Sequence, residues 1–293
     1  MDQENQLRGV LIVMIGVLIL TPDGLLIRLL STDSWTTLFM RGLISGPAIL
    51  IGYWLVAKQN PIQQIKSQGR FGLACAVIFA LGSICFILSI NNTTVANTLF
   101  IASTAPIFAA IIARFFLNEF VPRRVWYAIF AALLGIGVIA IGSLGHGQSS
   151  LIGDLFALGT ALCMAGTLSL IRHARARSMV PAIGLSGLIL AAITLLPASL
   201  MSIQATDWIY LALLGLIVVP IPFSLIAIGP RYLPASEVSL LLLLEAVLGP
   251  FWVWLVLAEF PGWLALTGGA IVIITLVAMN IYALRREIRQ QGK

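Results

Sequence analysis

Ten apolar stretches, each long enough to cross a bilayer, follow one another along this chain. An α-helix needs about 20 predominantly apolar residues to span the hydrocarbon core. Of the 293 residues, 60% are hydrophobic and only 10% are charged, which is more apolar surface than a water-soluble domain of this size can hide. The sequence therefore predicts an all-α integral membrane protein with ten transmembrane helices.

The predicted spans are separated by short connections, so no soluble domain is expected between them. The spans are 9–29, 35–57, 71–90, 95–117, 125–143, 151–171, 181–201, 208–229, 235–257 and 262–284. The short polar stretch 145–150 is the predicted seam between two halves of five spans each. The predicted domains are accordingly 1–145 and 146–293.

Two stretches with one plan, 95–120 and 235–260, indicate that these halves are repeats. Each stretch starts with small and polar residues, continues as a long apolar run with a proline in the middle, and ends on Glu-Phe. Because each half has an odd number of spans, the second must cross the membrane upside down relative to the first. Inverted-topology repeats are common in secondary transporters, whose substrate site lies at the repeat interface.

The positions of lysine and arginine predict the orientation. If the N-terminus is cytoplasmic, most basic loop residues are cytoplasmic too, namely Lys58, Lys66, Arg70, Arg123, Arg124, Arg172, Arg175, Arg177 and Arg231. The outer loops 3–4, 5–6, 7–8 and 9–10 carry none, and only Arg28 and Arg41 fall on the outer side. We therefore expect a multi-pass protein of the inner membrane with both termini in the cytoplasm.

The ends of the two halves also resemble a known family. They read ANTLFIASTAPIFAAIIARFFLNEF followed by WYAIFAALLGIGVIAIG, and ASEVSLLLLLEAVLGPFWVWLVLAEF followed by WLALTGGAIVIITLVA. With these hairpins, Arg41 and Glu245, the chain resembles the EamA-type ten-helix carriers of the drug/metabolite transporter superfamily. It departs from them at 21–24, where many members have a Trp-Gly-Ser-like turn, and at Ala246, which replaces their usual proline. The resemblance implies export of amino acids, related metabolites or drugs.

Asp23 is the most informative charged residue, because it follows Pro22 in the outer half of span 1. A carboxylate at that depth costs about 2.5–3.5 kcal/mol on insertion scales, so it should face the bundle interior. Pro22 removes a backbone hydrogen bond and is expected to break the helix there. Asp23 is a candidate for contact with a substrate amine and for proton coupling. The alternative is a structural ion pair with Arg41.

Two further charges are predicted inside the membrane. Arg41 can bind a substrate carboxylate through its guanidinium, or instead pair with Asp23 or reach the interface. Glu245 lies at the centre of span 9, where charge is most expensive. It is the second candidate for proton coupling or cation contact. Its alternative is a protonated carboxyl that hydrogen-bonds a neighbouring helix.

Interruptions in two spans indicate where a site would lie. Span 8 contains Pro220-Ile221-Pro222, and span 3 contains Gly82-Ser83 at the matching repeat position. Ordinary helix packing is the alternative, since Gly and Pro are frequent in membrane helices. Together with the three charged residues, the candidate substrate-binding residues are Phe79, Asn97, Phe100, Ser103, Met164, Phe223 and Trp252.

Several function classes are not supported. There is no phosphate-binding GxxxxGK[ST] loop, no His/Cys metal cluster and no arrangement typical of a hydrolase, so neither an enzyme nor a cofactor is expected. The net charge of +6 does not point to nucleic acid, because the basic residues sit in short loops. Glu119, at the end of span 4, is expected to pair with Arg114, Arg123 or Arg124.

The favoured function is a secondary active exporter of small metabolites, amino acids or related compounds above all, that works by alternating access in the lipid bilayer. Two alternatives stay open: a drug, organic-solute or nucleotide-sugar-type exchanger of the same superfamily, and a membrane assembly protein that transports nothing. The sequence leaves open the solute, proton coupling and whether the chain forms a homodimer. The outward direction rests on the resemblance.

Overall fold

The computed structural model describes residues 3–93, 95–143, 150–174, 177–257, 263–264, 266–275 and 277–278, and the regular structure in these residues is helical. The predicted seam around 145–149 and Glu259 lie outside them. The helices are α1 Gln3–Leu20, α2 Asp23–Leu29, α3 Ser34–Ala57, α4 Pro61–Asn92, α5 Val95–Ala102, α6 Ala105–Phe115, α7 Arg123–Ser143, α8 Leu151–His173, α9 Val180–Thr194, α10 Asp207–Leu213, α11 Pro220–Ile228, α12 Ala235–Leu241, α13 Leu243–Leu257 and α14 Leu266–Thr275.

Six helical segments within the described residues are long and apolar enough to cross a membrane. They are Gln6–Leu29, Ser34–Ala57, Pro61–Asn92, Leu151–His173, Asp207–Arg231 and Ala235–Val256. Three shorter apolar helices accompany them, α6, α9 and α14. The predicted all-helical membrane protein is thus confirmed, whereas the count of ten spans and the inverted repeat stay predictions.

The helix break expected at Pro22 is present. Helix α1 ends at Leu20 and α2 begins at Asp23, with Thr21 and Pro22 in the turn between them. Pro22 has no N–H to continue the hydrogen-bond ladder of α1. The turn sets Asp23 at the start of a new helix, where its side chain is almost fully buried.

Paired interruptions occur in predicted spans 4 and 9. Span 4 breaks at Ser103–Thr104, between α5 and α6, and span 9 breaks at Leu242, between α12 and α13. The repeat spacing of 140 residues relates these two breaks to within a few residues. In span 4 the cause is Pro106, in the first turn of α6, which cannot donate a backbone hydrogen bond to the preceding turn.

The predicted break at Gly82-Ser83 is wrong, because α4 continues through it as a regular helix. Helix α4 instead bends at Gly69, which has a φ of 57° that suits glycine. The prediction for span 8 holds in a different form: Leu214–Val218 forms a π-helical turn, in which Val219 N–H bonds to Leu214 O at 3.0 Å. Helix α11 then restarts at Pro220.

Helices α3 and α9 pack backbone against backbone through glycines. A Cβ atom added at Gly42 would stand 2.5 Å from Gly187 O, and one added at Gly187 would stand 2.7 Å from Gly46 Cα. Small residues let membrane helices approach this closely, which increases van der Waals contact. This close crossing holds α3, and with it Arg41, in a fixed place.

Gly42→Ala is therefore expected to destabilise the protein by about 1–3 kcal/mol, since the new methyl group overpacks a backbone contact. Gly52→Ala is the matched control on α3, because nothing lies within 4 Å of its added Cβ. The thermal midpoint of the purified protein in detergent should fall for Gly42→Ala and not for Gly52→Ala. Equal midpoints in the two variants would contradict the close packing.

Candidate functional site

A cavity of about 100 Å³ lies in the middle of the helix bundle. Its lining comes from seven of the predicted spans, with residues Asp23, Arg41, Phe79, Gly82, Ser83, Phe86, Leu99, Ala102, Ser103, Ala105, Thr160, Cys163, Met164, Thr167, Phe223, Ser239, Leu242, Leu243, Glu245 and Ala246. On α8 the lining runs from Thr160 to Thr167, which is about 10 Å of helix. Both of the helix breaks in spans 4 and 9 open onto this cavity.

Asp23 and Arg41 form a buried ion pair in the cavity wall. Arg41 Nη1 donates to Asp23 Oδ1 at 2.8 Å and to Oδ2 at 3.0 Å. The side chains are 2% and 6% exposed, so the attraction between them is little screened by water. The pair that the sequence left as an alternative is thus formed. It neutralises two charges that would each be costly alone.

Glu245 is the third lining residue with an acidic or basic side chain, near the start of α13. No described residue hydrogen-bonds to its carboxyl group or pairs with it. Among the described residues, no neighbouring helix provides the hydrogen bond that the structural alternative considered from the sequence would need. With all three groups ionised, Asp23, Arg41 and Glu245 give the cavity a net charge of −1.

Aromatic rings form one apolar wall. Phe79 of α4 and Phe223 of α11 meet edge to face, with ring centroids 4.8 Å apart and planes at 77°. Phe86 and Met164 extend this wall along α4 and α8. Phe223 lies in the first turn after the π-helical segment, so the irregular turn sets the position of its ring.

Hydroxyl groups line the remaining surface, and four of them donate to the backbone of their own helix. These bonds are Ser83 Oγ to Phe79 O at 3.1 Å, Ser103 Oγ to Leu99 O at 2.5 Å, Thr160 Oγ1 to Phe156 O at 3.0 Å and Ser239 Oγ to Ser236 O at 3.0 Å. Since a hydroxyl has one proton, each of these oxygens is left to act as an acceptor. Thr167 Oγ1 is buried without a hydrogen-bond partner among the described residues.

The predicted site residues divide into three groups. Seven of them line the cavity: Asp23, Arg41, Phe79, Ser103, Met164, Phe223 and Glu245. Trp252 lies outside the lining. Its Nε1 donates to Thr21 Oγ1 at 2.7 Å, and this hydrogen bond connects α13 to the turn before Asp23. Asn97 and Phe100 belong to α5, but their side chains lie outside the described part of the structure.

Sequence reasoning missed Thr160, Thr167 and Ser239 as lining residues. Single hydroxyls in apolar helices carry no distinctive pattern, because they also bond to their own backbone. For Leu242 and Leu243, however, the sequence did contain a pattern that indicates a place in the lining. Residues 103 and 243 are 140 positions apart, so the repeat spacing that relates the two helix ends also relates the two breaks that line the cavity.

A second ion pair lies beyond the cavity residues of α8, towards the end that we predict to be cytoplasmic. Arg172 Nε donates to Glu119 Oε1 at 2.7 Å, and its Nη1 donates to Pro230 O at 3.0 Å. The expected partners of Glu119 were therefore wrong, because Arg172 turns inward and is only 7% exposed. Buried Leu168 and Ile171 separate this pair from the cavity residues of α8. The network joins three separate segments of the chain.

A family model described as the EamA-like transporter family matches the chain twice, at residues 7–141 and 151–281. A Bacillus subtilis protein named uncharacterized transporter YdfC is 27% identical over 209 residues, which is 67% of this chain and 68% of that protein. A Pseudomonas aeruginosa protein named pseudopaline exporter CntI is 24% identical over 237 residues, covering 78% of this chain and 80% of the relative.

The fold also matches that of a solved protein. A crystal structure whose chain is 14% identical superimposes with a TM-score of 0.78, and the match covers 94% of this chain and 99% of the other. At that identity the likeness concerns the fold alone.

Proposed function

This chain belongs to the EamA-like transporter family, and we propose that it is a secondary active transporter that exports small metabolites, amino acids or related compounds above all. The observation that carries the proposal is the central cavity in which Asp23, Arg41 and Glu245 meet. Ionisable residues inside a membrane bundle are costly and typically mark a substrate or ion pathway. The outward direction is supported by the relative named as a pseudopaline exporter.

The proposed architecture has ten spans in two inverted halves, 1–145 and 146–293, with the solute between them. The two separate matches to one family model support this division. So do the helix breaks at Ser103–Thr104 and Leu242, which stand at equivalent places in the two halves. The cavity draws its lining from both halves, as expected of a transporter with its site at the repeat interface.

The proposed location is the inner membrane, with both termini in the cytoplasm, because lysine and arginine concentrate in the loops on that side. Green fluorescent protein fused after Lys293 should fluoresce, since it matures in the cytoplasm. Alkaline phosphatase at the same point should be inactive, since it matures outside. Active phosphatase with a dark fluorescent fusion would contradict this orientation.

Alternating access requires the cavity to open to one side at a time. Its volume of about 100 Å³ is below the roughly 300–1,000 Å³ of sites that enclose drug-sized ligands. The walls must therefore separate to admit a metabolite, and the Arg172–Glu119 pair is the contact that would part on the cytoplasmic side. In the proposed cycle Glu245 binds either a proton or the solute, because it has no described protein partner, whereas Asp23 is held by Arg41.

Export of drugs or other organic solutes is the second candidate, and the wall of Phe79, Phe86 and Phe223 favours it. A nucleotide-sugar exchanger would need several cations for phosphate. Among the described lining residues Arg41 is the one cation, and it is already paired.

Release of solutes from cells tests the proposed function. Cells that express the wild type or carry an empty vector are loaded with a panel of amino acids and dipeptides, and the medium is sampled over minutes. Faster release of particular solutes by the wild type is expected. If the two cell types release the whole panel equally, export of amino acids is rejected.

A further inference from the structure

An ionised Glu245 would make the cavity favour a cation. Asp23 and Arg41 neutralise each other and Glu245 has no described partner, so its carboxylate would set the sign of the site. An unpaired charge in a low-dielectric interior interacts strongly with an ion of opposite sign. A solute that brings a positive group to Glu245 would complete a second ion pair next to the first.

The hydroxyl groups add to this preference, because the cavity is rich in acceptors. Each of these hydroxyls already donates its one hydrogen bond to a backbone carbonyl, namely Ser83, Ser103, Thr160 and Ser239. A primary ammonium group has three donors and no acceptor. It matches a carboxylate surrounded by hydroxyl oxygens, whereas a carboxylate on the solute would find few donors there.

Among the described lining residues Arg41 is the one that could attract an anion, and Asp23 is already bound to it. Both oxygens of Asp23 accept from Arg41 Nη1. A solute carboxylate at Arg41 would lie beside the Asp23 carboxylate, and like charges at such a distance repel. The arginine therefore serves mainly to hold Asp23, rather than to bind a second anion.

The rest of the wall suits an apolar body. Phe79 and Phe223 present ring edges and faces to the cavity, and Met164 can adjust its shape to the bound group. The carboxyl group of Glu245, the hydroxyl acceptors and the aromatic wall point to the same kind of solute. We propose that the site recognises a primary ammonium group on an apolar body, with the ammonium group bound at Glu245. A carboxylate on the solute is not required. This inference rests on the proposed function and specifies the amine as the group of the solute that the site recognises.

Three probes with one skeleton test the inference on the purified protein in detergent: 2-phenylethylamine, 3-phenylpropanoate and the neutral 2-phenylethanol. Binding is measured as a ligand-dependent rise in thermal midpoint. The amine is expected to bind at least about ten-fold more tightly than the other two, because it alone makes a charge-assisted hydrogen bond to a carboxylate. Glu245→Gln should remove this preference, and Glu245→Asp, which keeps the charge, should retain part of it.

Tighter binding of 3-phenylpropanoate than of the amine would overturn the inference, and so would equal binding of all three probes or binding of none. An amine preference that survives Glu245→Gln would also overturn it, since the ammonium group would then bind elsewhere. These results are distinct from failure of the proposed function, which is read from solute release by cells. Release with the wrong order of probe binding rejects the ammonium inference alone.

Discussion

Asp23→Ala is expected to lower the free energy of unfolding by about 3–5 kcal/mol, because it leaves the Arg41 guanidinium buried without its partner. Removing one member of a buried pair costs far more than replacing both members with neutral groups. The double variant Asp23→Asn, Arg41→Gln should therefore recover most of the lost stability. The thermal midpoints of the purified proteins measure both effects.

If the ion pair also determines the geometry of the site, the double variant should regain stability without regaining transport. Asp33→Ala is a suitable control, because Asp33 only caps the start of α3, and losing a cap costs about 1 kcal/mol. The ion-pair argument is contradicted if Asp23→Ala is no less stable than Asp33→Ala. It is likewise contradicted if the double variant is as unstable as the single one.

Glu245→Gln is expected to slow export strongly while leaving the fold intact. Glu245 has no described hydrogen-bond or ion-pair partner, so glutamine removes no described protein contact and is not expected to destabilise the fold. Loss of a charge-assisted contact to the solute should lower the export rate by at least roughly ten-fold. The measurement is initial release by cells with equal amounts of protein in the membrane.

Glu245→Asp completes the comparison, because it keeps the charge on a shorter side chain and should restore part of the export. A Glu245→Gln variant that exports at the wild-type rate would exclude Glu245 from both solute binding and proton coupling. A Glu245→Gln variant that unfolds would mean that the carboxylate has a structural role.

Much of the fold could be predicted from the sequence, because the positions of membrane helices follow from a few sequence properties. Length and hydropathy indicate the spans, and prolines indicate breaks such as the one before Asp23. The prediction at Gly82-Ser83 was wrong for a physical reason. Glycine permits a break without requiring one, and helix α4 keeps its hydrogen bonds there, since both residues retain their N–H groups.

Side-chain partners were harder to predict than breaks. Asp23 and Arg41 could be paired from the sequence because they lie at similar depth in neighbouring spans, where unpaired charge is costly. The partner of Glu119 could not be predicted in this way, because Arg114, Arg123 and Arg124 all lie close to it in the sequence. Its partner Arg172 is 53 residues away, and the contact depends on how α8 packs against the other helices.

The most direct test of the account is to fill the cavity. Met164→Trp places a bulky indole ring in the cavity lining, whereas Leu162→Trp, two residues earlier on α8, is at a position that is 46% exposed. Each purified protein is reconstituted into liposomes, and uptake of each labelled amino acid in the panel is followed. We expect Met164→Trp to abolish the uptake shown by the wild type, and Leu162→Trp to keep it. Full uptake by Met164→Trp would contradict the claim that solute passes through this cavity.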